Sequence, residues 1–284
     1  MFVVEDLRFR YPKNREETLQ GVNFSIQPGE IFGLLGPSGV GKSTTQKVLI
    51  KLLTGYEGRV LYRGKDLKSY DKNIYNEVGV GFEVPTHFSK LTAEENLKFF
   101  SQLYESTMSI GELLKRVGLY EDRKKPVAEF SKGMKVRLNF IRAFLNSPQF
   151  LFLDEPTNGL DPGNARILKD MIREFQAEGG TVLLTTHLMS DVDELCDRVA
   201  FMADGKIVEI DNPKNLKLKH GERKVAVEYW EGDQVRLETF PLDQLGDNAR
   251  FLEIIRHKQI VTMHSKETTL EDIFIKLTGV EVHD

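Results

Sequence analysis

Apolar and polar residues alternate along 2–30, as in "VVEDLRFRY" and "GVNFSIQPGE", the two-residue period of half-buried antiparallel strands. "EIFGLLG" then forms a short apolar strand running into a glycine loop, followed by a helix over "KSTTQKVLIKLL". Strand patterns return in 57–82 with "GRVLYRG" and "VGVGF", and from 91 to 146 the period turns helical. "QFLFLDEP" has the continuous apolar run of a buried parallel strand, and "TVLLTTH" and "RVAFMADGKIVEI" read as two more, the first two separated by the helix "GNARILKDMIREFQAEG". This alternation predicts an α/β fold, a parallel sheet with helices on both faces, preceded by an antiparallel β subdomain. A composition break at "DNPKNLKLKHGERK" precedes further strands, "KVAVEYWEGDQVRLETF" and "HKQIVTMHSK", and a last helix, "TLEDIFIKLTG". The expected division is a domain over 1–219, with a helical subdomain at about 86–146, and a small accessory α+β domain over 220–284.

Composition narrows the class. The chain has 284 residues, 40% of them hydrophobic and 29% charged, as in an ordinary globular protein. Its net charge of −4 gives no electrostatic case for nucleic acid. The single cysteine, Cys196, excludes a disulfide framework and fits a reducing compartment. "MFVVEDLRF" lacks the basic start and apolar core of a signal peptide, and no apolar run approaches the roughly 20 residues that span a bilayer. The expectation is a chain that does not cross a membrane by itself.

The chemistry begins at "GPSGVGKST", Gly36, Pro37, Ser38, Gly39, Val40, Gly41, Lys42, Ser43 and Thr44, which matches G-x-x-x-x-G-K-[ST] between a strand and a helix. Such a loop wraps phosphates with backbone N–H groups, while the lysine neutralises them and the serine hydroxyl coordinates Mg²⁺. "FLFLDEPTNGLDP" puts Asp154 at the carboxyl end of a buried strand, where ligands of open α/β sheets sit. An aspartate there holds Mg²⁺, usually through water. Glu155, next to it, points the other way and can take a proton from an attacking water. The bland alternative is a pair of solvated strand-end acids. His187 ends another parallel strand on the same rim and reads as a γ-phosphate sensor, whereas His87, His220, His257, His264 and His283 have no such placement. "EFSKGMKVRLNF" reads as a helix with Ser131 at its N-cap, a start that offers N–H groups and a positive dipole end to an anion.

The ordered set Tyr11, GPSGVGKST, FSKGM, FLFLDEP, GLD and His187 resembles an ATP-binding cassette (ABC) ATPase over essentially residues 1–212. The segment Ser131, Lys132, Gly133 and Met134 stands where that family has its LSGGQ signature; Lys132 replaces the first glycine and Met134 the glutamine. The resemblance implies ATP and Mg²⁺ as cofactors and two cassettes packed head to tail, each signature helix capping the nucleotide of the other. It implies adenine stacking on Tyr11, whose alternative is a strand-edge tyrosine. It implies a partner contact at Asp161, whose alternative is a turn-capping aspartate before Pro162. Glu83, in "GFEVPTHF", stands where the family usually carries a glutamine that reaches Mg²⁺ and the attacking water, in a loop facing the membrane partner. Its alternative is an exposed glutamate without a role.

FSKGM, the C-terminal helix and the lone cassette are similar to the ATPases of type-2 bacterial exporters, the drug, antibiotic and bacteriocin group. This implies ATP hydrolysis at the cytoplasmic face of the membrane, with a second nucleotide-binding subunit and integral-membrane permease subunits as partners. The rival is a non-transport ABC ATPase, translation- or DNA-associated. Translation factors carry two cassettes in one chain, however, and DNA-associated ATPases split the cassette with a long coiled coil. This sequence has one P-loop, one signature and no sustained heptads between Lys42 and Ser131. The basic run from Lys214 to Lys224 reads either as a solvated linker or as a contact for anionic headgroups.

Overall fold

A computed structural model describes residues 1–266 and 268–279, so His283 and the last residues of the accessory domain lie outside the described residues. The chain divides into two compact units, Met1–Asn212 and a second over Pro213–Gly279. In the first unit, β1 (Phe2–Phe9), β2 (Leu19–Ile26), β4 (Glu57–Tyr62) and β5 (Lys65–Asp66) form an antiparallel sheet in the order β2-β1-β4-β5. The central sheet has the order β10-β9-β3-β8-β7-β6, built from β3 (Ile31–Leu35), β6 (Val78–Gly81), β7 (Phe150–Asp154), β8 (Thr181–Thr186), β9 (Arg198–Ala203) and β10 (Lys206–Asp211). β9, β3, β8, β7 and β6 run parallel, and every residue of β3, β7 and β8 is buried, as their continuous apolar runs require.

The last strand departs from the sequence expectation. "RVAFMADGKIVEI" is a hairpin, and β10 pairs antiparallel with β9. Asp204 and Gly205 both take positive φ, at 47° and 71°, which is the Asp-Gly turn signal within the segment.

One face of the central sheet is covered by the antiparallel sheet together with α1 (Lys42–Leu49). Phe2 packs edge-on against Phe150 and Phe152, with ring centroids 5.0 and 5.7 Å away, Phe24 stacks on Phe32, and Val48 and Leu49 join the same cluster. α4 (Lys132–Arg142), α5 (Pro162–Ala177) and α6 (Met189–Leu195) pack on strands of this sheet as well. α2 (Ala93–Ser101) and α3 (Ile110–Arg116) supply, with α4, the helical segment expected at 86–146. Among the described residues no helix is long and apolar enough to cross a membrane.

The second unit opens seven residues earlier than expected. α7 (Pro213–His220) belongs to it, so the basic run begins in a helix with Leu216 buried rather than in a linker. β11 (Lys224–Glu231), β12 (Gln234–Pro241) and β13 (Ile260–Lys266) form an antiparallel sheet in the order β12-β11-β13. α8 (Ala249–His257) closes a small core of Val225, Val227, Tyr229, Phe240, Phe251 and Ile254, and α9 (Leu270–Thr278) is the last helix.

One close approach fixes the helical segment on the sheet. A Cβ on Gly79 of β6 would stand 1.8 Å from the carbonyl oxygen of Ala143, at the end of α4. Gly79→Ala therefore forces β6 and α4 apart. The expected cost is about 1–3 kcal/mol, typical of overpacking, read as a lower melting temperature of the first unit by calorimetry. An unchanged melting temperature would show that β6 and α4 are free to separate there.

Candidate functional site

β3 delivers the chain into the glycine loop and α1 takes it away. Gly41, the N-cap of α1, has φ 111°, a conformation that penalises any side chain, and it brings no side chain to cap the first N–H groups of the helix. Lys42 is buried, and its ammonium donates to the carbonyls of Gly36 at 2.6 Å and Pro37 at 3.0 Å. Burial pushes its pKa down, against the pull of Glu155, Asp154 and Glu83. The loop thus holds a desolvated cation poised over its own backbone.

A cleft of about 640 Å³ lies above this loop, lined by Ser38, Gly39, Gly41, Lys42, Ser43, Thr44, Glu83, Asp154, Glu155, Asn158, His187 and Leu188. The Ser43 hydroxyl donates to Asp154 Oδ1 at 3.4 Å, and Thr185 also donates to that oxygen. These hard oxygens suit Mg²⁺, which takes one or two protein ligands and completes its shell with phosphate and water. Glu83 reaches the cleft from the exposed loop after β6.

Glu155 is the most constrained residue of the site. Its φ is 48°, unusual for a residue with a side chain and the kind of strain that collects at active sites. His187 Nδ1 lies 2.8 Å from Oε1, and Thr186 donates to Oε2 at 3.1 Å. With Glu155 ionised, His187 carries its proton on Nδ1. Burial pushes the Glu155 carboxyl up, opposed first by the His187 hydrogen bond and then by the charges and donors around it. A buried carboxylate with a raised proton affinity, held by two donors, can accept a proton from a water.

Gly36, Pro37 and Val40 of the loop do not line this cleft, and Tyr11 and the residues expected at a partner contact stand outside its lining. The Tyr11 hydroxyl sits 3.2 Å from Thr44 Oγ1, with its ring edge-on to Phe9. Ser131 caps α4, accepting from the Met134 N–H at 3.2 Å, and the Lys132 ammonium lies alongside Gly159. Asp161 caps α5, accepting from Asn164 N at 3.0 Å and Nδ2 at 2.5 Å, which holds its carboxyl below the usual range. None of Tyr11, Ser131, Lys132, Gly133, Met134 and Asp161 lines the cleft.

Thr185, Thr186 and Asn158 join the site beyond the residues expected from the sequence. The two threonines end a buried strand, where an apolar pair would be ordinary, and that was the available signal. Three bonds from α4 to the loop that carries Glu83 also go beyond that expectation. Asn139 donates to the Phe82 carbonyl at 2.7 Å, Arg142 donates to that of Thr86 at 2.7 Å, and His87 Nε2 meets the Lys135 carbonyl at 3.0 Å.

The family profile described as "ABC transporter" matches residues 19–158, and one described as "Fluoroquinolone efflux ABC transporter C-terminal domain" matches residues 223–267. The fluoroquinolones export ATP-binding protein of Mycobacterium tuberculosis is 49% identical, over 97% of this chain and 92% of that protein. The lantibiotic transport ATP-binding protein SrtF of Streptococcus pyogenes is 37% identical, over 76% and 94%. Among solved structures, an ATP-binding subunit of an ABC transporter superposes with a TM-score of 0.70 at 29% identity, covering 77% of this chain and 92% of that one. A dimeric, post-hydrolysis ATP-binding cassette bound to ADP and Pi gives 0.68 at 25% identity, covering 75% and 98%.

The raised pKa of Glu155 has a kinetic consequence. If Glu155 is the base, ATP hydrolysis falls as pH drops through its pKa, and burial places that fall above the ordinary carboxylate range. His187→Ala removes the largest influence holding the pKa down, so the acid limb should move to higher pH and the plateau rate should fall. Initial rates measured from pH 5 to 9 test both; an acid limb that stays in place would separate His187 from Glu155.

Proposed function

This chain belongs to the ABC transporter family, and we propose that it is the ATP-hydrolysing subunit of a drug exporter that drives a separate membrane permease. The observation that carries the reading is the cleft itself, where Lys42, Ser43, Asp154, Glu155 and His187 converge from the ends of three parallel strands. Lys42 exchanges its carbonyl partners for phosphate oxygens of ATP. Ser43 and Asp154 would hold Mg²⁺, with Glu83 within the same cleft, and a bound ion there would supply positive charge against the phosphates. Glu155 takes the proton of the attacking water, and His187 keeps that carboxylate in place.

Two identical chains pairing head to tail account for the residues outside the cleft. Ser131 spends one lone pair on its own helix and keeps its O–H to donate to the γ-phosphate held by the other chain. Gly133 and Met134 follow it at the helix start, and Lys132 adds a positive charge there. Asp161, locked as a helix cap, presents its loop to the other chain. Tyr11 stands beside Thr44 of α1, and its ring is the surface assigned to adenine.

The permease contact is assigned to a groove of about 900 Å³ lined by Val78 and Val80 of β6, Phe82 just after it, Phe100 of α2, Leu103 just after that helix, and Arg142 of α4. Its rim carries Leu52 and Leu103, exposed and apolar, and it runs beside the Glu83 loop. An apolar segment of a membrane subunit fits such a groove, and this contact holds the chain at the cytoplasmic face of the membrane. The cargo class follows the mycobacterial relative and the match over 223–267, both named for fluoroquinolones.

The test is direct. Mg²⁺-dependent ATP hydrolysis should rise faster than linearly with protein concentration, because Lys42 and Ser131 of one chain serve different nucleotides. Glu155→Gln should slow it by about 10²–10⁴-fold with ATP binding retained and dimers accumulating. Strictly linear activity down to nanomolar monomers would sink the head-to-tail site.

Export provides the second check. Cells expressing this chain with the permease that co-purifies with it should accumulate less fluoroquinolone. Glu83→Gln should keep substantial hydrolysis, while Glu83→Ala should impair export more than ATP binding. Equal export by the alanine variant and the parent would leave Glu83 as a plain surface acid.

A further inference from the structure

The two free edges of the C-terminal sheet differ. β13 breaks register opposite Glu228 and Tyr229, whereas β12 pairs with β11 without interruption from Gln234 to Pro241. Among the described residues no strand pairs with the outer side of β12. Its Val235 and Leu237 are 47% and 62% exposed. An edge strand of this kind offers a row of backbone donors and acceptors to another chain, and proteins usually blunt it with a lysine, a proline or a bulge. β12 has no lysine, and its proline is its last residue.

Set antiparallel against itself, β12 has one register in which its charges agree. With Leu237 opposite Leu237 of a second copy, Arg236 falls opposite Glu238 and Glu238 opposite Arg236 on one face. Val235 falls opposite Thr239 on the other. The ladder then runs from Gln234 to Phe240, and Pro241, which has no N–H to give, drops outside it. A shift of two residues either way sets Arg236 against Arg236 or Phe240, and the match is lost. Within one chain Arg236 holds Glu231 at 2.6 Å and Glu238 holds Arg250 at 2.7 Å, both pairs at the surface. The cross-strand charges therefore select the register, while backbone bonds and the Leu237 contact supply the attachment.

We propose that the C-terminal unit pairs with that of a second copy along β12, joining their sheets about a two-fold axis at Leu237. An isologous contact of this kind is self-complementary by construction. It needs no nucleotide, so it goes beyond ATP-driven pairing of the cassettes and keeps two chains associated between turnovers.

Cysteine cross-linking of the full chain without nucleotide tests the register, since the one native cysteine, Cys196, is buried. Opposed residues of an antiparallel pair have Cα atoms about 4.5–5.5 Å apart, within disulfide range. Leu237→Cys should form a covalent dimer under mild oxidation. Val235→Cys should not, because its two copies would lie about 14 Å apart along the strands. Adding Arg236→Glu to Leu237→Cys should slow cross-linking on the order of tenfold, by creating two like-charge contacts, and further adding Glu238→Arg should restore it. An unchanged far-UV circular dichroism spectrum and thermal transition of the full chain confirm the fold of each variant, and ATP hydrolysis by the unoxidised variants keeps this question separate from that of the cassette dimer. Absence of the Leu237→Cys dimer, equal cross-linking of Val235→Cys, or indifference to the charge reversal would each overturn the pairing.

Discussion

The rest of the structure depends on the parallel register of the central sheet. Leu35 pairs with Thr186, Asp154 with Thr185, and Leu153 with Gly81, so four strands end on one rim. Because these strands are buried almost throughout, none can slip without driving apolar side chains out of the core or polar ends into it. The glycine loop after β3, the acids at the end of β7, His187 after β8 and Glu83 after β6 are therefore brought to one rim by the packing of the sheet. Chemistry then needs only the residue that follows each strand.

That rim carries an electrostatic tension which the surrounding donors contain. Glu155 is desolvated, backbone-strained and close to Asp154, and its carboxylate is kept by His187, Thr186 and the nearby Lys42. Lys42 is desolvated in turn and kept charged by the same acids. Each buried charge is the other's compensation, which is how opposite charges survive together in a low-dielectric site. The same arrangement gives Glu155 a carboxyl more basic than a surface glutamate, the property a base needs near neutral pH.

Much of this was legible in the sequence because it rests on short-range signals. The glycine loop, the apolar run before Asp154 and Ser131 as an N-cap are fixed by residues within a few positions of each other, and each takes its expected place in the fold. The misreadings have equally local causes. The β9–β10 hairpin reads as one continuous strand pattern because both its strands are β-rich, although Asp204-Gly205 marks the turn. α7 was hidden by its polar composition and by a pattern with one buried leucine, Leu216. The three bonds from α4 to the Glu83 loop were not legible at all. They join residues 48 to 57 positions apart, and nothing in either segment announces the other. Those bonds tie the loop that carries Glu83 to α4, the helix that starts just after Ser131.

The two interfaces proposed for this chain impose a condition on each other. A closed dimer has a single two-fold axis, so head-to-tail cassettes and paired β12 edges can coexist in one dimer only if both contacts share that axis. Contacts with different axes would instead link each chain to two neighbours and build an open array. The uninterrupted β12 ladder makes this a real constraint, since an unblunted edge left unpaired in a working dimer would remain available to any other strand. Pairing along a shared axis removes that liability, and it leaves each cassette free to open and close on its nucleotide while its partner stays close at hand.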